Sequence, residues 1–205
     1  MSAAFDVARS TMIRFMEIHW PHKLAGFPHC WEDRVAAMRP VIDVFYMTVR
    51  AFQPAQVVET GVCLGNLTSL ILAALRHNGH GHLTSVDLPI IMEELGMEKS
   101  ATGVLVPESF RDCWTLIEGD AAAVLPDLLP KLRPGIFVRD SDHSYGHMAF
   151  EYAVANKSRA EVILSDDIMA NTSFWDFTAG IGAIALAHRE RPNIGGAVVP
   201  PTVIG

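Results

Sequence analysis

The chain has 205 residues, half of them apolar, a formal charge of -7 and a pI near 5.7. Such a length and apolar share suit a sizeable core, and the acidic balance argues against the basic face with which most proteins meet a phosphate backbone, so the expected partner is a small molecule and not a nucleic acid. Cys30, Cys63 and Cys113 are odd in number and without CxxC pairing, no basic leader precedes an apolar run, and no stretch approaches about 18 uninterrupted apolar residues; the expectation is a reduced, cytoplasmic protein without export or membrane span.

Residues 1–52 read as a helical preface, followed by a catalytic unit over 53–205. Apolar positions recur at helical spacing through Ala8–Trp20 and again through Val35–Phe52. Their apolar faces, with Met12, Met16, Met38 and Met47, suit core or subunit packing, and a homodimer is expected on that ground. Between them, Pro21 to Trp31 cannot be regular helix because of its prolines. That segment reads either as a lid over an acceptor site or as a connector between two helices.

From Gln56 onward strands and helices alternate, which predicts an α/β fold with a doubly wound, mainly parallel, Rossmann-like sheet. Strands are expected at Val57–Thr60, Leu83–Asp87, Thr115–Glu118, Ile136–Arg139 and Val162–Ser165. Helices are expected at Asn66–His77, Ala121–Leu132, Tyr145–Asn156 and Ser173–Arg191. The tail from Gly195 to Pro201 leaves room for one or two short closing strands. Ligands of open α/β sheets bind beyond the carboxyl ends of the strands, and Glu59, Asp87, Asp120, Asp140 and Asp166 all fall at or just after such ends.

The segment Val57–Thr68 runs a strand through Glu59-Thr60-Gly61 and Gly65 straight into a helix starting near Asn66. Gly61 and Gly65 permit positive φ or close approach, and the first N–H groups of the helix can receive a polar or negative group. The spacing lacks the third glycine of the dinucleotide fingerprint. The third strand leads into Gly119-Asp120-Ala121, where Asp120 suits an N-cap. Farther on, Asp140-Ser141-Asp142-His143 and Asp166-Asp167 put three carboxylates at the ends of adjacent strands, where they repel one another unless a cation sits among them. Oxygen ligands suit a hard ion such as Mg²⁺, a hydroxyl bound to that ion loses its proton more easily, and His143 is placed as a base usable at neutral pH. Alternatively the segment is a solvated turn in which Asp142 or Ser144 caps the next helix. His77, His80 and His82 have spacing that suits a transition metal, but they fall at the opposite edge of the sheet, where a solvated loop is expected.

The glycine turn, with Glu59 before it and Asp87 closing the second strand, resembles motif I of the class I S-adenosylmethionine-dependent methyltransferases. The resemblance implies that Glu59, Thr60, Gly61, Gly65 and Asn66 cradle the amino-acid end of S-adenosylmethionine and that Asp87 binds its ribose hydroxyls. Gly119, Asp120 and Ala121 would lie beside the adenine, and Asp140 would also meet the cofactor. A ligand with a cationic sulfonium and ammonium and no pyrophosphate suits carboxylates. The D-x-D-H-S-Y run and the acidic pair after the fifth strand resemble the metal-dependent small-molecule O-methyltransferases of the macrocin O-methyltransferase and cephalosporin-biosynthesis type. Catechol and caffeoyl-coenzyme A O-methyltransferases share that layout. By this resemblance, which spans about residues 57–177, Asp140, Asp166 and Asp167 would hold Mg²⁺ and His143 would stand as the base. The chain departs from the pattern in having Lys157–Glu161 where a Pro-Gly-Gly turn is usual, and the usual seven-strand sheet is expected to be trimmed. The expected activity is methyl transfer to an oxygen of a small, natural-product-like acceptor. Metal-independent O- or N-methylation, and a catalytically silent cofactor-binding partner protein, are the alternatives.

Overall fold

A strand covered on both faces needs apolar residues at consecutive positions, because alternate side chains point to opposite sides. The central strands meet that demand. Val57, Ile136, Val138, Val162 and Leu164 belong to one core cluster, whereas their chain neighbours Val58, Phe137 and Ile163 belong to another. The computed structural model, which describes residues 40–90 and 100–201, places these two clusters on the two faces of a single sheet. The helix expected over Ala8–Trp20 and the segment 21–31 lie outside the described residues.

The described chain begins in a π-helical turn, Ile42–Tyr46, continuing into α1 (Met47–Phe52), within the expected second preface helix. Then follow β1 (Gln56–Thr60), α2 (Asn66–Asn78), β2 (His82–Asp87), a 3₁₀ turn (Glu108–Cys113), β3 (Trp114–Glu118), α3 (Ala121–Leu132), β4 (Ile136–Arg139), α4 (Tyr145–Lys157), β5 (Val162–Ser165), α5 (Ser173–Ile181), β6 (Ile184–Ala187) and β7 (Gly195–Val198). The helix α2 is buried from Leu67 to Leu75, since the sheet lies on one side of it and the π-turn, α1 and the 3₁₀ turn on the other. The helices α3, α4 and α5 contribute to the cluster on the opposite face, and the doubly wound arrangement is therefore present.

Strand order is β3-β2-β1-β4-β5-β7-β6. The first five run parallel, and β7 is antiparallel to both β5 and β6. The sheet thus has all seven strands and is not trimmed. The expected helix Ser173–Arg191 is corrected: it stops at Ile181, where Gly182 takes the left-handed conformation (φ 65°), and Ile184–Ala187 forms a strand instead. A glycine in that conformation ends a helix at low cost, and the apolar run beyond it pairs with β7 rather than continuing to coil. Among the described residues no helix is long and apolar enough to cross a membrane.

Because β2 lies on one side of β1 and β4 on the other, the direction of winding reverses between β1 and β4. Their carboxyl ends diverge into a crevice, the place where open α/β sheets bind ligands.

Candidate functional site

The β1–α2 turn crosses that crevice in a conformation that side chains resist. Gly61 (φ 80°), Cys63 (φ 49°) and Gly65 (φ 95°) are all left-handed. A methyl group on Gly61 would lie 2.0 Å from the backbone oxygen of Asp140, so glycine is what allows β1 and β4 to finish side by side. The turn is held from the next strand. Asp87 Oδ2 accepts from the backbone N–H groups of Val62 and Cys63, both at 2.7 Å, and Oδ1 accepts from Leu88 N–H at 2.8 Å.

A cavity of about 310 Å³ opens beside this turn. Of the residues expected at a cofactor, Gly61, Asp87, Gly119, Asp120, Ala121 and Asp140 line it. Asp120 also caps α3, accepting from Ala122 N–H at 2.9 Å. Four others lie elsewhere. Gly65 backs onto Gly103 and Val106, Asn66 is exposed at the start of α2, and Thr60 is buried, its carbonyl accepting from Asp140 N–H at 2.8 Å. Glu59 is fully buried behind the turn: its Oε2 accepts from Ser85 Oγ (2.6 Å) and Thr68 Oγ1 (2.9 Å), and its Oε1 has no partner. Burial pushes its carboxyl up to about 7, against the lowering effect of those two hydroxyls.

The cavity wall also contains residues that the sequence reading passed over: Cys63, Leu88, Ile90, Ser141 and His147. Leu88 and Ile90 immediately follow β2, so their place past a strand end was a usable signal. His147 gave none, being one polar residue in the first turn of α4. Asp142, read as a cap, lines the cavity but does not cap α4: its Oδ1 accepts at 2.7 Å from the N–H of Ser144, the residue before the helix, and that bond holds its carboxyl below the usual range, while the first N–H groups of α4 receive no capping side chain.

Next to the cavity stand the three carboxylates and the histidine. His143 Nε2 is 3.2 Å from Asp167 Oδ2 and 3.8 Å from Asp140 Oδ1, in hydrogen-bond geometry with neither. Its backbone oxygen accepts from Asn171 Nδ2 at 2.9 Å. Asp167, itself left-handed (φ 49°), accepts from Asn193 Nδ2 at 3.0 Å. Asp166 lies 3.8 Å from Arg191, and its Oδ1 is buried without a partner. Desolvation, then the Asp166 and Glu59 carboxylates, push Asp140 up to about 8. Desolvation also raises Asp166.

A divalent cation would relieve that crowding, and the all-oxygen donor set has the right chemistry. The arrangement does not fit one as it stands: among the described residues no group of three or more His, Cys, Asp or Glu side chains converges to hold a metal ion. The imidazole of His143 instead stands between Asp140 and Asp167. The other histidine cluster is likewise dispersed. His77 pairs with Tyr46, His80 with backbone oxygens of Asn78 and Gln53, and His82 with Thr115.

A family model described as "Methyltransferase domain" matches residues 58–168. Among solved structures, a putative O-methyltransferase from Klebsiella pneumoniae is 18% identical, with a TM-score of 0.58 over 77% of this chain and 78% of that one. The O-methyltransferase TomG from Streptomyces achromogenes, involved in tomaymycin synthesis and solved with S-adenosylmethionine, is 14% identical (TM-score 0.57; 77% and 78% covered). The methyltransferase PaMTH1 from Podospora anserina, bound to S-adenosylhomocysteine, is 13% identical (TM-score 0.55; 77% and 76% covered). At these identities the likeness is one of fold. No curated protein sequence matches the chain.

Proposed function

Because the chain belongs to the methyltransferase-domain family, we propose that it moves the methyl group of S-adenosylmethionine to an oxygen of a small-molecule acceptor, with His143 as the base. The observation that carries this reading is the convergence of Gly61, Asp87, Asp120 and Asp140 on one cavity at the reversal point of the sheet, with His143 beside it. Two structural neighbours solved with S-adenosylmethionine or its demethylated product support the choice of cofactor.

The cofactor supplies an electrophilic methyl group on a sulfonium. What the protein adds is placement, since an in-line displacement gains most from holding the two reactants in register. Asp87 and Asp120 offer acceptor oxygens to the hydroxyls and amine of the nucleoside, and the cationic end, set beside Asp140, favours the ionised form of a carboxyl that burial otherwise keeps protonated at neutral pH. The imidazole of His143, 3.2 Å from Asp167, takes the acceptor proton, and the carboxylate beside it stabilises the imidazolium that results.

Assistance by Mg²⁺ at Asp140, Asp166 and Asp167 is a second reading, favoured by the buried, unpartnered Asp166 Oδ1. It requires the three side chains to draw together around the ion. Calorimetric titration with S-adenosylmethionine and S-adenosylhomocysteine, in Mg²⁺ and then in EDTA, tests both. Binding in EDTA followed by acceptor turnover in EDTA supports the metal-free route, turnover only with Mg²⁺ supports the second, and no binding in either buffer overturns the proposal.

A further inference from the structure

Arg139 closes β4 directly after three buried apolar residues, Ile136, Phe137 and Val138. Neither its side chain nor that of Glu151 on α4 has any exposed surface. A buried ion pair is a poor way to gain stability, because apolar residues of similar volume in its place are often neutral or better. The contacts suggest a different reason. Arg139 Nε donates to Glu151 Oε2 at 3.1 Å, one terminal nitrogen donates to the backbone oxygen of Asp142, and the other to the backbone oxygen of Asp166 at 3.5 Å. Glu151 in turn takes the hydroxyl of Ser141 between its two oxygens, at 2.8 and 2.9 Å, and its Oε1 lies 3.4 Å from His147 Nε2. One guanidinium therefore ties the loop after β4 to the loop after β5, while its counter-ion holds Ser141 of the cavity wall and lies beside His147.

We propose that Arg139 and Glu151 are a positioning pair that fixes the spacing between loop 140–143, which walls the cavity and carries His143, and the acidic turn 166–167. The planar fork of arginine suits three divergent acceptors, which a lysine ammonium cannot reach together. The proposal rests on reading the cavity as the cofactor site. A pair retained for stability alone would be replaceable by apolar residues without functional loss; a positioning pair would not.

The test compares wild type with Arg139→Met/Glu151→Leu and with Arg139→Lys. The readouts are melting temperature, S-adenosylhomocysteine binding by calorimetry, kcat and KM on an acceptor, and amide hydrogen exchange. The double variant is expected to melt within about 5 °C of wild type. It is expected to bind S-adenosylhomocysteine about tenfold more weakly and to lose on the order of 10²-fold in kcat with little change in acceptor KM. Exchange protection should fall at 140–144 and 166–168 and stay unchanged in α2. Arg139→Lys should lie between the two. A folded double variant with wild-type binding, kcat and loop protection overturns the proposal. If the double variant does not fold, Arg139→Lys decides, and wild-type protection of both loops in it overturns the proposal equally. A wild-type protein that binds no S-adenosylhomocysteine overturns the methyltransferase reading instead, and the exchange measurement, which needs no ligand, still decides for or against the pair.

Discussion

Replacing Glu59 by Gln should change how stability depends on pH, and by a predictable amount. Glu59 is fully buried, with an ordinary value of 4.5 pushed up to about 7 in the folded protein. Below pH 4.5 the carboxyl is protonated whether the chain is folded or not. Between 4.5 and about 7 the folded state keeps a proton that the unfolded state has released, so stability falls as pH rises, and above about 7 the loss is complete. The interval corresponds to about 3 kcal/mol, or about 6–12 °C in Tm for a chain of this size. Glutamine has nothing to titrate and keeps an oxygen for Ser85 and Thr68. Its amide nitrogen would take the place of Oε1, which has no partner, at a pH-independent cost of about 1–3 kcal/mol. The diagnostic quantity is therefore the change in the Tm difference between wild type and Glu59→Gln from pH 4.5 to pH 8, followed by calorimetry or circular dichroism. It should move by about 6–12 °C in the variant's favour. Parallel Tm curves over that range would show that Glu59 is not held neutral by burial, and the argument would fail.

Gly61→Ala should abolish S-adenosylhomocysteine binding and lower stability by at least about 2 kcal/mol, since a left-handed Cβ is disfavoured and here would meet Asp140 O at 2.0 Å; calorimetry and thermal melts read both. His143→Ala should lower kcat by about 10²–10⁴-fold while leaving cofactor affinity unchanged, and full turnover in that variant would remove the base assignment. Asp120→Ala should lower stability by about 1 kcal/mol through the lost cap of α3 and also weaken cofactor binding, whereas a loss of stability alone would restrict Asp120 to its capping bond with Ala122.

Much of this architecture was legible because strand and helix periods are local. The run from Val57 through Gly61 into Asn66 announced a strand, a turn needing positive φ and a helix, and all three are present. The same local reading failed at Ser173–Arg191. The apolar spacing there suits a helix and an alternating strand almost equally, and the outcome was decided by Gly182 and by pairing with a strand farther along the chain. The acids at strand ends were found from position alone, but their partners were not. That Glu59 points away from the cavity to Ser85 and Thr68, or that Asn193 reaches Asp167, depends on contacts between elements distant in sequence. Arg139 looked like an unremarkable strand end for the same reason; only the packing of α4 over β4 gives it Glu151.

The sheet also has a built-in order of completion. β7 follows β6 in the chain but lies inside it, seated between β5 and β6. β6 has no partner but β7, so residues 184–187 join the sheet only through it, and β5, already paired with β4, presents an open row of backbone donors and acceptors until Gly195–Val198 arrives. Unpaired edges of this kind invite pairing with other chains. Chains ending before Gly195 would therefore leave β5 as the edge of the sheet, and the short, glycine-led strand covers that edge and moves it outward to β6.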